Sequence, residues 1–506
     1  MKSAKQPIIV VVRDELCCMN LESYFKPFRN STIGDGQTYL TRYGLQHMVY
    51  ADWIASGRLY RPIEDIITGR IGPFVGNTHT ETSETGKLMT LAYHRAHQNI
   101  KKHVNAGLND VIITTGFGMT GAVVKFQRIL GMKQCAMLSG GKCLKEKEKP
   151  VVFITHMEHH SNQTSWYETV ADVVVIKPGK DLLFDLNHLE DTLKSYGKGR
   201  KLIGSFTACS NVTGVRTPIH EMAALMHKYG GKIFVDYAAS APYEDINMHP
   251  GDPMQDLDAV YFSPHKFLGG PGSSGVLIFN TNLYNNRVPD QPGGGTVDWT
   301  NPWGDYKFID DIEIREDGGT PGFLQSIRAA LSMDLKNQMG VSNIREREDQ
   351  LLAVAFGELS GVPGLHILAD NVTSRLGVIS FYIDSIHYNL IVSLLSDRFG
   401  IQVRGGCACA GTYGHYLLDV SFEKSQKITN SISSGDLSEK PGWVRLSLHP
   451  TMTDQELVYI ADALRQISLK HKEWISDYEY NKHTNEFRLN RENPSATDIN
   501  KWLTLQ

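Results

Sequence analysis

Lys232-Ile-Phe-Val-Asp236 and, further on, Tyr261-Phe-Ser-Pro-His-Lys266-Phe-Leu-Gly-Gly270 decide how the chain is read. The first is a short apolar run ending on an acid. Its composition is that of a buried strand, and Asp236 stands at the strand's carboxyl end, where α/β sheets bind ligands. A turn aspartate is the commonplace alternative. The second stretch continues a similar run, Ala259–Ser263 (AVYFS), and places Lys266 just beyond it. Burying an ammonium group lowers its pKa and makes the amine nucleophilic. On this motif alone, an exposed lysine before a glycine turn is an equally good reading. One strand–helix–strand excursion separates the acid from the lysine, which brings both to the same sheet edge.

Outward from this pair, similar runs recur at Asp110–Thr115, Val151–Thr155, Asp172–Ile176, Leu202–Thr207 and Gly275–Phe279. Helical patterns fill the gaps. Leu186, Leu189 and Leu193 share one helix face, and Thr217-Pro218 reads as an N-cap followed by proline at the first helical position. Alternating strands and helices predict an α/β fold with a mostly parallel seven-stranded sheet. From about residue 336 the style changes. A charged helix over 343–359 leads to short strands such as 376–383, and Thr453-Asp-Gln-Glu456 is a capping box that opens a last long helix. We expect a large domain over 48–335 and a smaller α+β domain over 336–470. Residues 1–47 read as an N-terminal extension and small-domain segment, and 471–506 as a C-terminal appendage. The polar stretch 423–442 reads as a surface loop or flap.

The 506 residues carry a formal net charge of −4. No basic excess advertises nucleic acid or an anionic membrane as a partner. No apolar run reaches the roughly 18 residues of a membrane span. Ile8–Val12 is shorter than the signal-peptide core of about 7–15 residues and reads as a buried strand. Seven cysteines in so long a chain are not a secreted disulfide framework, so a reducing cytoplasm is expected.

Four further motifs carry chemistry. Thr114-Thr-Gly-Phe-Gly-Met119-Thr120-Gly is a glycine-rich strand-to-helix turn, able to cradle a phosphate with free N–H groups. Glycine turns are common, and the dinucleotide spacing is absent. In Met157-Glu-His159-His160, a histidine at a strand end can stack on a flat ligand and move protons. Adjacent side chains diverge, so the pair is a poor metal site. Arg404-Gly-Gly-Cys407-Ala-Cys409 sets two thiols in a glycine-flanked loop beside a cation, which favours thiolate. No matching pair of ligands makes it a zinc site, and Cys17, Cys18, Cys135, Cys143 and Cys209 read as structural. Arg445, in Trp443-Val-Arg-Leu-Ser, can bind a carboxylate bidentately, or else lie on a solvated strand face.

Together these motifs resemble the class V aminotransferase family of pyridoxal 5′-phosphate (PLP) fold type I, in its cysteine desulfurase/selenocysteine lyase branch. YADWIASGR (Tyr50–Arg58), VGNTHTETSETG (Val75–Gly86), SNVTG (Ser210–Gly214), GGTPG (Gly318–Gly322) and RGGCACAG fall in the family's order. The resemblance implies that Lys266 forms the Schiff base with PLP, that Asp236 pairs with the pyridine nitrogen, and that His159 stacks on the ring. It implies that Asn211 contacts the phenolic oxygen, and that Met119, Thr120, Ser263 and His265 bind the phosphate. Thr320 would reach the phosphate of a second subunit, implying a homodimer. Arg445, with Arg404 nearby, would hold the carboxylate of an amino-acid substrate, L-cysteine in this branch. Cys409 would take its sulfur as a persulfide for an acceptor protein, with Cys407 an additional thiol. No metal is implied. Ala239 departs from the pattern, since many desulfurases have glutamine there. It leaves open another class V reaction, such as that of an aminotransferase, epimerase or β-lyase.

Overall fold

The computed structural model describes residues 20–78, 80–133, 144–196, 199–490 and 499–505. The N-terminal run Ile8–Val12 and Cys17, Cys18, Cys135 and Cys143 lie outside them. The expected runs become seven strands: β1 (Asp110–Thr115), β2 (Val151–Thr155), β3 (Asp172–Ile176), β4 (Leu202–Thr207), β5 (Lys232–Asp236), β6 (Ala259–Phe262) and β7 (Gly275–Asn280). They form one sheet in the order β1-β7-β6-β5-β4-β2-β3. Only β7 runs against its neighbours, β1 and β6. The remaining pairs are parallel.

The pleat explains why these strands read as continuous apolar runs. Val152 and Ile154 join a core on one face, with Val123 and Phe126 of helix α2 (Met119–Ile129) and Trp166 of α3 (His160–Tyr167). Phe153 points the other way, into a core with Ile100 of α1 (Glu84–His103), Leu189 and Leu193 of α4 (Leu186–Tyr196), Met222 of α5 (Ile219–Lys228) and Ile327 of α6 (Phe323–Met339). A sheet covered on both faces needs apolar residues on both.

A second sheet is antiparallel, with β8 (Leu365–Ile367), β9 (Val378–Ile383), β10 (Arg404–Gly406) and β11 (Trp443–Ser447) in the order β8-β9-β11-β10. Helices α7 (Val341–Leu359), α8 (Tyr388–Phe399) and α10 (Asp454–Trp474) share its core. The Thr453–Glu456 capping box forms as expected. Val49–Tyr50 pairs in parallel with Ile401–Gln402, so the chain before the large sheet is tied to the small one.

Several expectations are corrected. Residues 423–442 are not simply a loop, because Phe422–Ser433 form a helix, α9, whose first turn is capped by the Ser421 hydroxyl accepting from Lys424 N–H. None of its residues is buried, so the stretch reads from its composition as polar and exposed. Thr217 does not cap α5, since its hydroxyl donates to the Thr207 carbonyl instead. The C-terminal end is more than an appendage, and both ends join the small-sheet core. Helix Leu21–Asn30 buries Phe25, and the hairpin Tyr478–Asn481/Glu486–Leu489 buries Tyr478, both in the small-sheet core.

Glu348 of α7 is buried there, accepting a hydrogen bond from Gly377 N–H at 3.1 Å. Burial pushes its carboxyl up to about 8. The folded state therefore holds a proton that the unfolded chain releases from about 4.5 upward. Stability from this group is complete below that value and is lost as pH climbs through the folded pKa. Glu348→Gln cannot ionise. Thermal unfolding should show the variant gaining on wild type from about pH 4.5 and the gap levelling off above about 8. A gap that does not change with pH would contradict the assignment.

Candidate active site

The carboxyl ends of β1, β2, β4, β5 and β6 meet at one edge, and the loops there enclose a cavity of about 520 Å³. Lys266 closes a short turn, Pro264–Lys266, directly after β6. Asp236 ends β5, where its Oδ1 accepts from Ala238 N–H at 2.8 Å. Both line the cavity. Burial lowers the Lys266 amine to about 8, with Asp236 opposing and Arg445 and Arg404 assisting. Burial likewise raises Asp236 to about 6, while the Ala238 N–H and Lys266 pull it down.

Segment Tyr50–Arg58 braces the lysine turn. Gly57 N–H donates to the His265 carbonyl at 3.0 Å, and Gly269 N–H donates to the Arg58 carbonyl at 2.7 Å. A Cβ on Gly57 would run into the Phe267 carbonyl, so the close approach requires glycine.

The glycine turn after β1 opens α2 against this lysine loop. Met119 N–H donates to Ser263 Oγ at 2.8 Å. Thr120 Oγ1 lies 2.7 Å from Ser161 Oγ. A Cβ on Gly118 would stand 3.0 Å from Ser263 Oγ and 3.4 Å from His265 Nε2. The turn is thus a close-packed cradle that glycine keeps open, with the first amide of α2 facing a polar side chain.

His159 lines the cavity as N-cap of α3, its Nδ1 accepting from Ser161 N–H at 3.1 Å. That bond places the ring proton on Nε2. Burial, then the Lys266 cation, lowers the imidazole to about 3, so it is neutral. Glu158 behind it is buried yet accepts from Thr155 N–H and hydroxyl, Thr207 N–H and Asn162 Nδ2. It joins β2, β4 and α3, a role that its place beside two histidines did not reveal.

Asn211 lines the cavity too, but its Nδ2 donates to the Ala408 carbonyl at 2.8 Å. Arg445 is only 3% exposed, which corrects the solvated-face alternative, since β11 lies between β9 and β10 and is buried throughout. Its Nη2 donates to Asp52 Oδ1 at 2.8 Å and its Nη1 to the Asn211 carbonyl at 3.3 Å. Asp52 was missed as a site residue, although it lies within the quoted motif Tyr50–Arg58. Among the described residues, Asn211 Oδ1 and Arg445 Nε are buried with no hydrogen-bond partner.

Two expected residues do not line the cavity. Thr320 is exposed in the loop before α6. Cys409 lies one residue beyond Ala408, which does line it, and is close enough to act electrostatically on Arg445. Ala408 and Cys409 have φ of +49° and +57°, and Ala410 N–H donates back to the Cys407 carbonyl at 3.1 Å. Such a left-handed turn costs L-residues roughly 1–2 kcal/mol each. Cys407 is partly exposed, and Cys209 is buried as expected, with its thiol pushed up by burial. Among the described residues no cluster of His, Cys, Asp or Glu is arranged to hold a metal ion. None of their helices is long and apolar enough to cross a membrane.

The family model for class-V aminotransferases matches residues 49–460. The chain belongs to that family. Its relatives include a cysteine desulfurase of Haloferax volcanii, 25% identical over 72% of this chain and 80% of the relative. A probable cysteine desulfurase of Halalkalibacterium halodurans is 27% identical over 72% and 84%. Among solved structures, a cysteine desulfurase from Thermococcus onnurineus aligns with a TM-score of 0.67 at 20% identity, covering 83% of this chain and 95% of its own. One from Escherichia coli gives 0.67 at 19% identity, covering 88% and 98%. These structures show the fold to be that of PLP fold type I.

In the ligand-free protein, acylation of Lys266 should titrate with a midpoint near 8, whereas an ordinary lysine titrates near 10.5. Peptide mass spectrometry across a pH series measures it. A midpoint at the ordinary value would show that the amine is not desolvated.

Proposed function

We propose that this class-V aminotransferase family member is a PLP-dependent cysteine desulfurase, converting L-cysteine to L-alanine and leaving sulfur on Cys409. The carrying observation is that Lys266, Asp236 and Arg445 share one cavity whose wall includes the residue before Cys409. The cavity fits PLP in kind: a desolvated amine, a buried carboxylate, a neutral imidazole, a glycine cradle and two unpaired polar atoms among the described residues. Lys266 would hold the aldehyde carbon, Asp236 the ring nitrogen, and Met119, Thr120, Ser263 and His265 the phosphate. When bound, PLP supplies an electron sink for the substrate's Cα.

The chain's own residues do the rest. Arg445 orients the substrate carboxylate, with Arg404 beside it. Lys266, deprotonated near pH 8, accepts the α-proton at Nζ. Asp236, as carboxylate, keeps a cationic ring nitrogen protonated. His159, neutral and anchored at Nδ1, offers Nε2–H. The Cys409 thiolate attacks the substrate sulfur, so an S–S bond forms as the C–S bond breaks, and the substrate carbon keeps the bonding pair and takes up a proton to become the methyl group of alanine. Exposure of Thr320 outside this chain's cavity supports a homodimer in which it serves the second copy. The partly exposed Cys409 supports delivery of sulfur to a thiol of an acceptor protein.

Ala239 in the cavity wall favours the second reading, another class V reaction such as that of an aminotransferase, epimerase or β-lyase, which needs no thiol at Cys409. Alanine and sulfide are measured with cysteine, and dithiothreitol to reduce the persulfide, for wild type, Lys266→Ala and Cys409→Ser. Lys266→Ala should lose the cofactor's lysine-linked visible absorbance and all turnover. Cys409→Ser should keep the absorbance and lose sulfide release by about 100-fold or more. Wild-type sulfide release from Cys409→Ser would overturn the desulfurase reading.

A further inference from the structure

Cys409 occupies backbone that L-residues avoid, so neighbouring groups must hold it there. One residue grips the chain at two points directly after the strained position. His160 N–H donates to the Cys409 carbonyl at 2.7 Å, and His160 Nε2 accepts from Gly411 N–H at 3.0 Å. Gly411 is the first residue of helix Gly411–Leu417, so its N–H has no acceptor within that helix. The imidazole supplies one. A Cβ on Gly411 would stand only 3.2 Å from Nε2, so glycine keeps the contact close. Asn211 completes the grip through the Ala408 carbonyl at 2.8 Å. His160 follows His159, which lines the cavity, so the cysteine turn is referenced directly to the proposed cofactor face.

We propose that His160 is a positioning residue that fixes the Cys409 thiol against the cavity. Its chemical meaning rests on the desulfurase reading; the grip itself does not. The holoenzyme is compared with His160→Ala and His160→Gln, whose side-chain carbonyl restores an acceptor. Three readouts are taken: hydrogen exchange over residues 408–413, alkylation of Cys409 by iodoacetamide without substrate, and alanine formation from cysteine. His160→Ala should speed exchange in that peptide about tenfold, the loss of one net hydrogen bond. It should change the alkylation rate severalfold and lower kcat about 100-fold with KM nearly unchanged, because misplacement of a reacting group acts on the chemical step. His160→Gln should recover most of each.

Unchanged exchange and alkylation in His160→Ala would overturn the grip. Faster exchange with unchanged kcat would overturn the positioning role. A wild type that makes no alanine would overturn the desulfurase reading instead, and exchange and alkylation would then decide on His160 alone. If the alanine variant does not fold, His160→Leu, similar in bulk and without an acceptor, replaces it.

Discussion

Taking the Lys266 amine and the Asp236 carboxyl out of water costs both their hydration, and the site is organised around that cost. Burial drives the two groups toward neutrality from opposite sides, the amine down to about 8 and the acid up to about 6. Neither recovers its charge from the other alone. A cationic ring nitrogen against Asp236 would restore its carboxylate, and a carbonyl carbon would take up the free amine. The cavity is thus poised for a ligand carrying both groups. The sheet makes this placement possible because parallel strands bring every carboxyl end to one edge.

The same edge explains the cysteine turn. Glu158, His159 and His160 leave β2 consecutively, and each makes a different connection: Glu158 into the sheet, His159 to the cavity, His160 to the chain around Cys409. Strain at Ala408 and Cys409 persists because contacts from the large-sheet edge over-determine the turn.

The large sheet was legible because strands buried on both faces leave unbroken apolar runs, and the seven runs between residues 110 and 280 became its strands. The cavity's acids, amine and glycines were legible because they follow those runs directly. Three things were not. Helix α9 buries none of its residues, and its mostly polar composition reads as a surface loop. The chain ends dock through a few aromatics in short segments, with Phe25 and Tyr478 buried and Tyr24, Phe28 and Phe487 packed beside them, too few to register as patterns. Contacts across long sequence separations, such as Asn211 to Ala408 and Arg445 to Asp52, have no local signal at all.

The Arg445–Asp52 pair bears on how an amino acid would be held. A buried guanidinium without a partner would be costly, and Asp52 supplies one carboxylate oxygen in the absence of substrate. The pairing engages Nη2 and leaves Nε, also buried, without a partner among the described residues. On the desulfurase reading, an entering carboxylate would meet a cation already oriented and partly neutralised. Its gain would come from satisfying the remaining donor and from Arg404 nearby, rather than from a full new ion pair. Such an arrangement favours orientation over tight ground-state binding, which is where an enzyme gains in rate.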